Sequence, residues 1–280
     1  METDFRQIKP ISKAAGLYIV STPIGNLADI TIRALQVLGA ADIIYCEDTR
    51  QTKKLLLHYG IDCKLEIYND HNAARTRPKM LEQLGQNKMV ALVTDAGTPL
   101  VSDPGYKIVK EAIESKFKVI PVPGASALLA ALVGAGMASD QFHFAGFVEE
   151  KKFTELALIN STLVFFESPK RLAATLKTME KYFGNRNACV ARELTKIYEE
   201  FQSGSLSYLH KHYAEHEPKG EIVILLSPPE NIQLAPEDIE KELKALLKSY
   251  KLKEASEILA TKYSISKKAV YEHGIKLKNN

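Results

Sequence analysis

Cysteine is scarce in this 280-residue chain: Cys46, Cys63 and Cys189 lie far apart and form no Cys-x-x-Cys pair. So odd and sparse a set excludes a disulfide framework and a thiolate zinc site. It fits a reducing compartment, and a cytoplasmic protein is expected. The seven histidines, His71 and His143 among them, also lack metal-ligand spacing, so no metal is expected. No apolar run approaches the length a membrane span needs, so no membrane partner is expected. Residues 1–15 carry Glu2, Asp4 and Arg6 without an apolar core; they read as a short disordered leader rather than a signal peptide. Three chemical signatures are missing as well. Without Gly-x-Gly-x-x-Gly, Gly-x-x-x-x-Gly-Lys-Ser/Thr or Gly-x-Ser-x-Gly, the chain lacks the usual parts for hydride transfer, nucleotide hydrolysis and serine hydrolysis.

What is present is ordinary in bulk, with 45% hydrophobic and 25% charged residues. The length suits two domains, each able to bury its own core. Charge is unevenly placed. Nine lysines against Glu254, Glu257 and Glu272 give residues 244–280 a charge of +6, and the chain total of +3 leaves −3 for residues 1–243. A basic tail on a mildly acidic body is either a solvated helical face or a surface for RNA phosphates.

From Leu17 short apolar runs alternate with amphipathic stretches. Leu17–Ser21, Ile43–Cys46, Met89–Thr94 and Lys118–Val122 read as strands, with helices at Ile30–Leu38, Arg77–Leu84 and from about Asp103 to Ser115. Asp29 or Thr31 can cap the first helix; Asp103, followed by Pro104, can cap the last. This order predicts a mostly parallel sheet. Ser126 can cap an apolar helix through about Val133. Later strands are expected at Thr162–Phe166, Ala188–Arg192 and Glu221–Leu226, with a helix at Arg171–Tyr182 and an edge strand at Lys196–Phe201. Asn231–Pro236 reads as a linker and residues 237–280 as helices, with Tyr263–Ser266 as a turn. The expected domains are 16–123 (α/β), 124–229 (α+β) and a basic helical part at 236–280.

In open α/β sheets ligands bind at the carboxyl ends of the strands. Four loops follow strands here: Thr22–Asn26, Glu47–Arg50, Asp95–Pro99 and Pro123–Ser126. Any one of them is an ordinary turn; four at four strand ends predict a single crevice. Gly25, Gly97 and Gly124 let backbone amides approach a ligand there.

Those same loops carry a family resemblance. The segment from Thr22 through Thr31 (Thr-Pro-Ile-Gly-Asn-Leu-Ala-Asp-Ile-Thr), Glu47-Asp48-Thr49-Arg50, Thr94-Asp95-Ala96-Gly97-Thr98-Pro99 and Ser102-Asp103-Pro104-Gly105 resemble successive motifs of the ribosomal RNA small subunit methyltransferase I family. That family is part of the tetrapyrrole methylase superfamily. Phe166-Glu167-Ser168-Pro169-Lys170-Arg171, Ala191-Arg192-Glu193-Leu194-Thr195-Lys196 and Lys219-Gly220-Glu221 continue the match in order, from about Leu17 to Leu226.

The resemblance implies an α/β, two-domain tetrapyrrole-methylase fold: a parallel-sheet N-terminal domain, a mixed-sheet α+β second domain and a C-terminal helical appendage. It implies a homodimer that binds S-adenosyl-L-methionine and 2'-O-methylates a cytidine in the decoding region of 16S rRNA, free or in the small ribosomal subunit. It implies cofactor contacts from Pro23, Gly25, Asp95, Ala96, Gly97, Thr98, Pro99, Ala125 and Ser126, with Phe166, Leu194 and Gly220 closing over it. For the transfer, Glu47, Asp48 and Glu167 are candidate bases. Arg50, Arg171 and Arg192 are candidates to hold flanking phosphates, and Lys170 and Lys196 are further RNA-binding candidates. Glu47-Asp48-Thr49-Arg50 also reads as a capped helix start, and Lys196 as a surface partner of Glu193. The chain departs from the family pattern at Val148-Glu149-Glu150-Lys151-Lys152, which is short and carries two acids, and at Lys170, where the family often has His. A precorrin or uroporphyrinogen C-methyltransferase shares the fold, but such enzymes usually have a more Gly-rich first loop and no basic appendage. A non-catalytic RNA-binding factor that keeps the cofactor pocket is the third reading.

Overall fold

A computed structural model describes residues 11–229, 236–247, 250–263 and 267–279. The expected leader lies largely outside these residues, as do most of the Asn231–Pro236 linker and three of the four turn residues at Tyr263–Ser266.

The chain forms two compact units. One runs to Ala135 and takes back Val190–Phe201 and Gly220–Val223; the other holds Gly136–Cys189, Gln202–Lys219 and residues from Ile224 onward.

The first unit is built on a five-stranded sheet in which every described pairing is parallel. Its strands are β1 (Gly16–Val20), β2 (Ile43–Cys46), β3 (Leu65–Ile67), β4 (Met89–Leu92) and β5 (Val119–Val122), in the order β3-β2-β4-β1-β5. Side chains alternate between its faces. Tyr18, Val20, Ile44, Cys46, Met89 and Ala91 enter one core, and Leu17, Ile19, Ile43, Tyr45, Val90 and Leu92 the other. Both faces are covered, as a parallel sheet requires. Helices α1 (Ile32–Ala40) and α2 (Thr49–His58) give Val37, Leu38 and Leu56 to the first core. Helices α3 (Ala73–Gly85) and α4 (Tyr106–Glu114) give Met80, Leu84, Ile108 and Ala112 to the second. Each of the larger of these side chains (Val, Leu, Ile, Met), fully buried, contributes about 1.5–3 kcal/mol.

Thr31, one of the two expected caps of α1, does the capping: its hydroxyl accepts the Ala34 amide at 3.1 Å. The expected cap at Asp103 fails. Ser102 turns the chain at φ 64°, and Gly105, at φ 143°, occupies the position before α4, so Pro104 lies outside the helix. Ser126 stands at the start of α5 (Ala127–Gly134), yet its hydroxyl makes no capping bond. Helix α2 and strand β3 complete the alternation. Only three residues long, β3 carries too little pattern to be read in advance.

The second sheet has the order β6-β7-β10-β8-β9, from β6 (Phe142–Phe147), β7 (Thr162–Glu167), β8 (Asn187–Arg192), β9 (Glu200–Ser205) and β10 (Ile222–Leu226). It is mixed. Strands β6 and β7 are parallel, whereas β8 runs against β10: the Glu193 amide donates to Glu221 O at one end and the Ser227 amide to Asn187 O at the other. Helices α6 (Phe153–Leu156), α7 (Leu172–Phe183) and α8 (Leu206–Glu215) accompany it. Residues 196–199, expected as an edge strand, form a hydrogen-bonded turn instead, and β9 starts later and runs through Ser203–Ser205. Helices α9 (Pro236–Leu246), α10 (Leu252–Tyr263) and α11 (Lys267–Asn279) pack on one another through Leu243, Ala255, Leu259 and Val270. No described helix is long and apolar enough to cross a membrane.

Candidate active site

The loops at the carboxyl ends of β1, β4 and β5 are joined by hydrogen bonds. Thr22 and Gly97 exchange backbone bonds, with Thr22 N donating to Gly97 O at 2.9 Å and Gly97 N to Thr22 O at 3.1 Å. The Thr98 hydroxyl donates to Ala125 O at 3.1 Å and lies 2.9 Å from Ser21 Oγ. A hydroxyl has one proton, so Ser21 must be the donor in that second bond. The three loops are thereby fixed to one another, as their positions at strand ends predict.

Two glycines are required by this arrangement. Gly97 has φ +82°, and a Cβ on Gly124 would stand 2.9 Å from Cβ of Ser21. Beside them opens a cavity of about 530 Å³, lined in part by Ile24, Asp29, Gly124, Ala125, Ser126 and Thr195. The Thr195 hydroxyl is buried there with no hydrogen-bond partner among the described residues.

The β2 loop joins through carboxylates. The Asp48 amide donates to Asp95 Oδ1 at 3.1 Å, next to the Glu47 carboxylate. Burial, then the charge of Asp95, pushes the Glu47 carboxyl up. Burial likewise raises Asp95. Asp103 is pushed up to about 7, first by burial and then by Glu47, Asp95 and Asp70. Asp48 behaves oppositely: Arg50, bonded through Nε and through Nη2 at 2.6 Å, lowers it to about 2. Asp48 also accepts the Arg50 amide at the start of α2, so the capped-helix reading and the site reading hold together.

The turn after β8 seats Lys196 over the first loop: a Cβ on Gly25 would meet Lys196 Cγ at 2.6 Å. Lys196 Nζ bonds Glu193 at 2.7 Å and Glu221 at 3.1 Å. Gly220, at φ +91°, leaves the space that Glu193 fills. Leu194 is buried, and Arg192 Nε donates to Glu200 at 2.9 Å.

Phe166, Glu167, Lys170 and Arg171 belong to the other unit and form their own group at the end of β7. Glu167, its side chain 1% exposed, accepts from Ser168 N at 2.7 Å, Arg171 Nε at 2.9 Å and Thr175 Oγ1 at 2.6 Å. Phe166 packs edge-on to Phe144 and Phe147, and Lys170 and Arg171 are exposed. Asp70, Thr195 and the charge linkage of Asp103 join the site without having stood out in the sequence. For Asp70 the available signal was an acid placed just beyond the end of β3. Among the described residues no cluster of three or more His, Cys, Asp or Glu side chains is arranged to hold a metal ion.

The family model for tetrapyrrole (corrin/porphyrin) methylases matches residues 16–210. A ribosomal RNA small subunit methyltransferase I of Mesorhizobium japonicum is 46% identical over 97% of this chain and 94% of its own length. The Rickettsia prowazekii protein of that name is 42% identical over 92% of this chain and 95% of its own. The chain belongs to the tetrapyrrole methylase family, in its ribosomal RNA small subunit methyltransferase I branch. This methylase shares its fold with a diphthine synthase (TM-score 0.61, 16% identity, 75% of this chain and 89% of that one). It also shares it with a Thermus thermophilus uroporphyrin-III C-methyltransferase complexed with S-adenosyl homocysteine (TM-score 0.55, 19% identity, 76% and 97%). The family and fold expected from the motifs are borne out.

Proposed function

We propose that the chain is an S-adenosylmethionine-dependent enzyme that 2'-O-methylates the ribose of a cytidine in the decoding region of 16S ribosomal RNA. The observation that carries this reading is a match running nearly end to end, 46% identity over 97% of the chain, to a ribosomal RNA small subunit methyltransferase I.

The strand-end loops fit the cofactor. Gly97 turns its loop at φ +82°, Gly124 passes too close to Ser21 for a Cβ and borders the cavity, and the Thr195 hydroxyl, unpartnered among the described residues, lines it as well. We assign contacts to Pro23, Gly25, Asp95, Ala96, Gly97, Thr98, Pro99, Ala125 and Ser126, with Leu194, Gly220 and Phe166. When bound, S-adenosylmethionine supplies an electrophilic methyl group on a sulfonium. The chain's own work is to hold a ribose hydroxyl in line with that methyl and to take its proton. Glu47 suits the second task, because its raised pKa makes it a better proton acceptor than an ordinary glutamate. Asp48, held at about 2 by Arg50, is a poor base and positions Arg50 instead. Glu167 spends its oxygens on Ser168, Arg171 and Thr175, so its part is to orient Arg171. We assign RNA phosphates to Lys170, Arg171 and Arg192. Lys196, committed to two carboxylates, holds the loop over Gly25.

The working form we infer is a cytoplasmic homodimer, for which exposed Ile197 and Tyr198 offer apolar surface. The domains we infer span 16–123 and 124–229, with the basic residues 236–280 lying against RNA. Incubation with labelled S-adenosylmethionine, offering unmodified small subunits and a porphyrinogen in parallel, tests the reading. Label on the RNA supports it; label on the porphyrinogen alone overturns it.

A further inference from the structure

A second cavity of the first unit, about 420 Å³, runs along α2. Its lining includes Arg50, Lys53, Leu57, Ile61, Asp62 and Leu65. Helix α2 carries Arg50, Lys53, Lys54 and His58 and no acidic residue. Arg50 is paired with Asp48, whereas Lys53 forms no ion pair among the described residues. Leu57, one turn beyond Lys53 on the same face, is 67% exposed. An apolar side chain held in water beside an unpaired ammonium suits a ligand that is flat and apolar at one end and anionic at the other. Across the groove lies β3, the sheet's edge strand among the described residues, paired with β2. Thr49 and Arg50, in the first turn of α2, border this groove and also follow directly on Glu47 and Asp48. A strand whose reacting ribose lies at Glu47 would continue along α2.

We propose that this groove is a subsite for the RNA strand flanking the reacting nucleotide. An unstacked base lies against Leu57, Ile61 and Leu65, and Lys53 takes the adjoining phosphate. Single-stranded segments are recognised in this manner, with bases splayed onto protein surface and phosphates neutralised by cations. Asp62, the one carboxylate of the lining, can accept only a hydrogen-bond donor, which a base edge supplies and a phosphate does not. The inference rests on the ribosomal RNA reading above.

Equilibrium binding of 16S rRNA to the full chain, measured across a salt series, tests it. Lys53→Ala is expected to weaken binding about fivefold and to reduce the log–log salt slope by about 0.7, the loss of one single-strand phosphate contact. Leu57→Ser is expected to weaken binding similarly while leaving the slope unchanged, because it removes packing and no charge. S-adenosylmethionine affinity and Tm should stay at wild-type values in both, since both positions are exposed. Lys116→Ala, at the opposite end of the strands, is the charge control and should change neither quantity. Wild-type binding by both groove variants, or an equal slope change in the control, overturns the subsite. A wild-type protein that binds rRNA yet methylates no ribose overturns the function reading alone, because the binding comparison still decides on the groove. No rRNA binding by wild type overturns both.

Discussion

The backbone amide of Asp48 donates to Oδ1 of Asp95 at 3.1 Å, so the turn that opens α2 and the turn after β4 share one hydrogen bond. Asp95→Ala removes the acceptor and frees the cofactor turn from α2. S-adenosylmethionine affinity should fall about tenfold, the range of one charge-assisted hydrogen bond. Calorimetric titration checks this. Unchanged affinity with lost turnover would move Asp95 to a substrate role.

Asp103 carries a pH signature. Its folded pKa of about 7, set by burial and then by Glu47, Asp95 and Asp70, exceeds the value of about 3.9 expected when unfolded. Between those values the folded chain binds the extra proton, so this group's contribution to stability falls as pH rises from about 4 to 7. Asp103→Asn removes the cost of the charge. The variant should melt above wild type at pH 8, and the two should converge near pH 4. A difference independent of pH would contradict the assignment.

Lys196 combines a charge with a covering stem. Lys196→Met keeps the stem over Gly25 and leaves Glu193 and Glu221 without their partner, for a cost of about 1 kcal/mol. Lys196→Ala uncovers Gly25 as well and should cost more in a urea titration. Equal losses would mean that the stem contributes nothing.

Thr175 donates to the nearly inaccessible Glu167 at 2.6 Å. Thr175→Val keeps the shape and deletes the donor, so denaturant unfolding should register a loss of about 1–3 kcal/mol. A neutral result would show that Glu167 is satisfied without it.

Much of this was legible in the sequence. Short apolar runs, ending in Pro- and Gly-bearing loops after β1, β4 and β5 and in Glu47–Arg50 after β2, located these four strands and placed their loops at one end of the sheet. Hydrogen bonds among Ser21, Thr22, Gly97, Thr98 and Ala125 now join three of those loops. What could not be read depends on tertiary context. Asp103-Pro104 has the local chemistry of a helix start, but positive φ at Ser102 and Gly105 delays α4 to Tyr106. Lys196 resembles a free phosphate-binding cation until Gly25 and Glu221, each far away in sequence, are brought against it. Glu167 looks like a base until Thr175, two turns on, claims one of its oxygens.

The most direct test of the central claim is nucleotide-resolution mapping of the product after unmodified small subunits react with wild type and with Glu47→Gln. Wild type should give a single 2'-O-methylcytidine in the decoding region, and the variant transfer slowed about 10²-fold at unchanged cofactor affinity. A methyl group on a base, or none on the RNA, would contradict the claim.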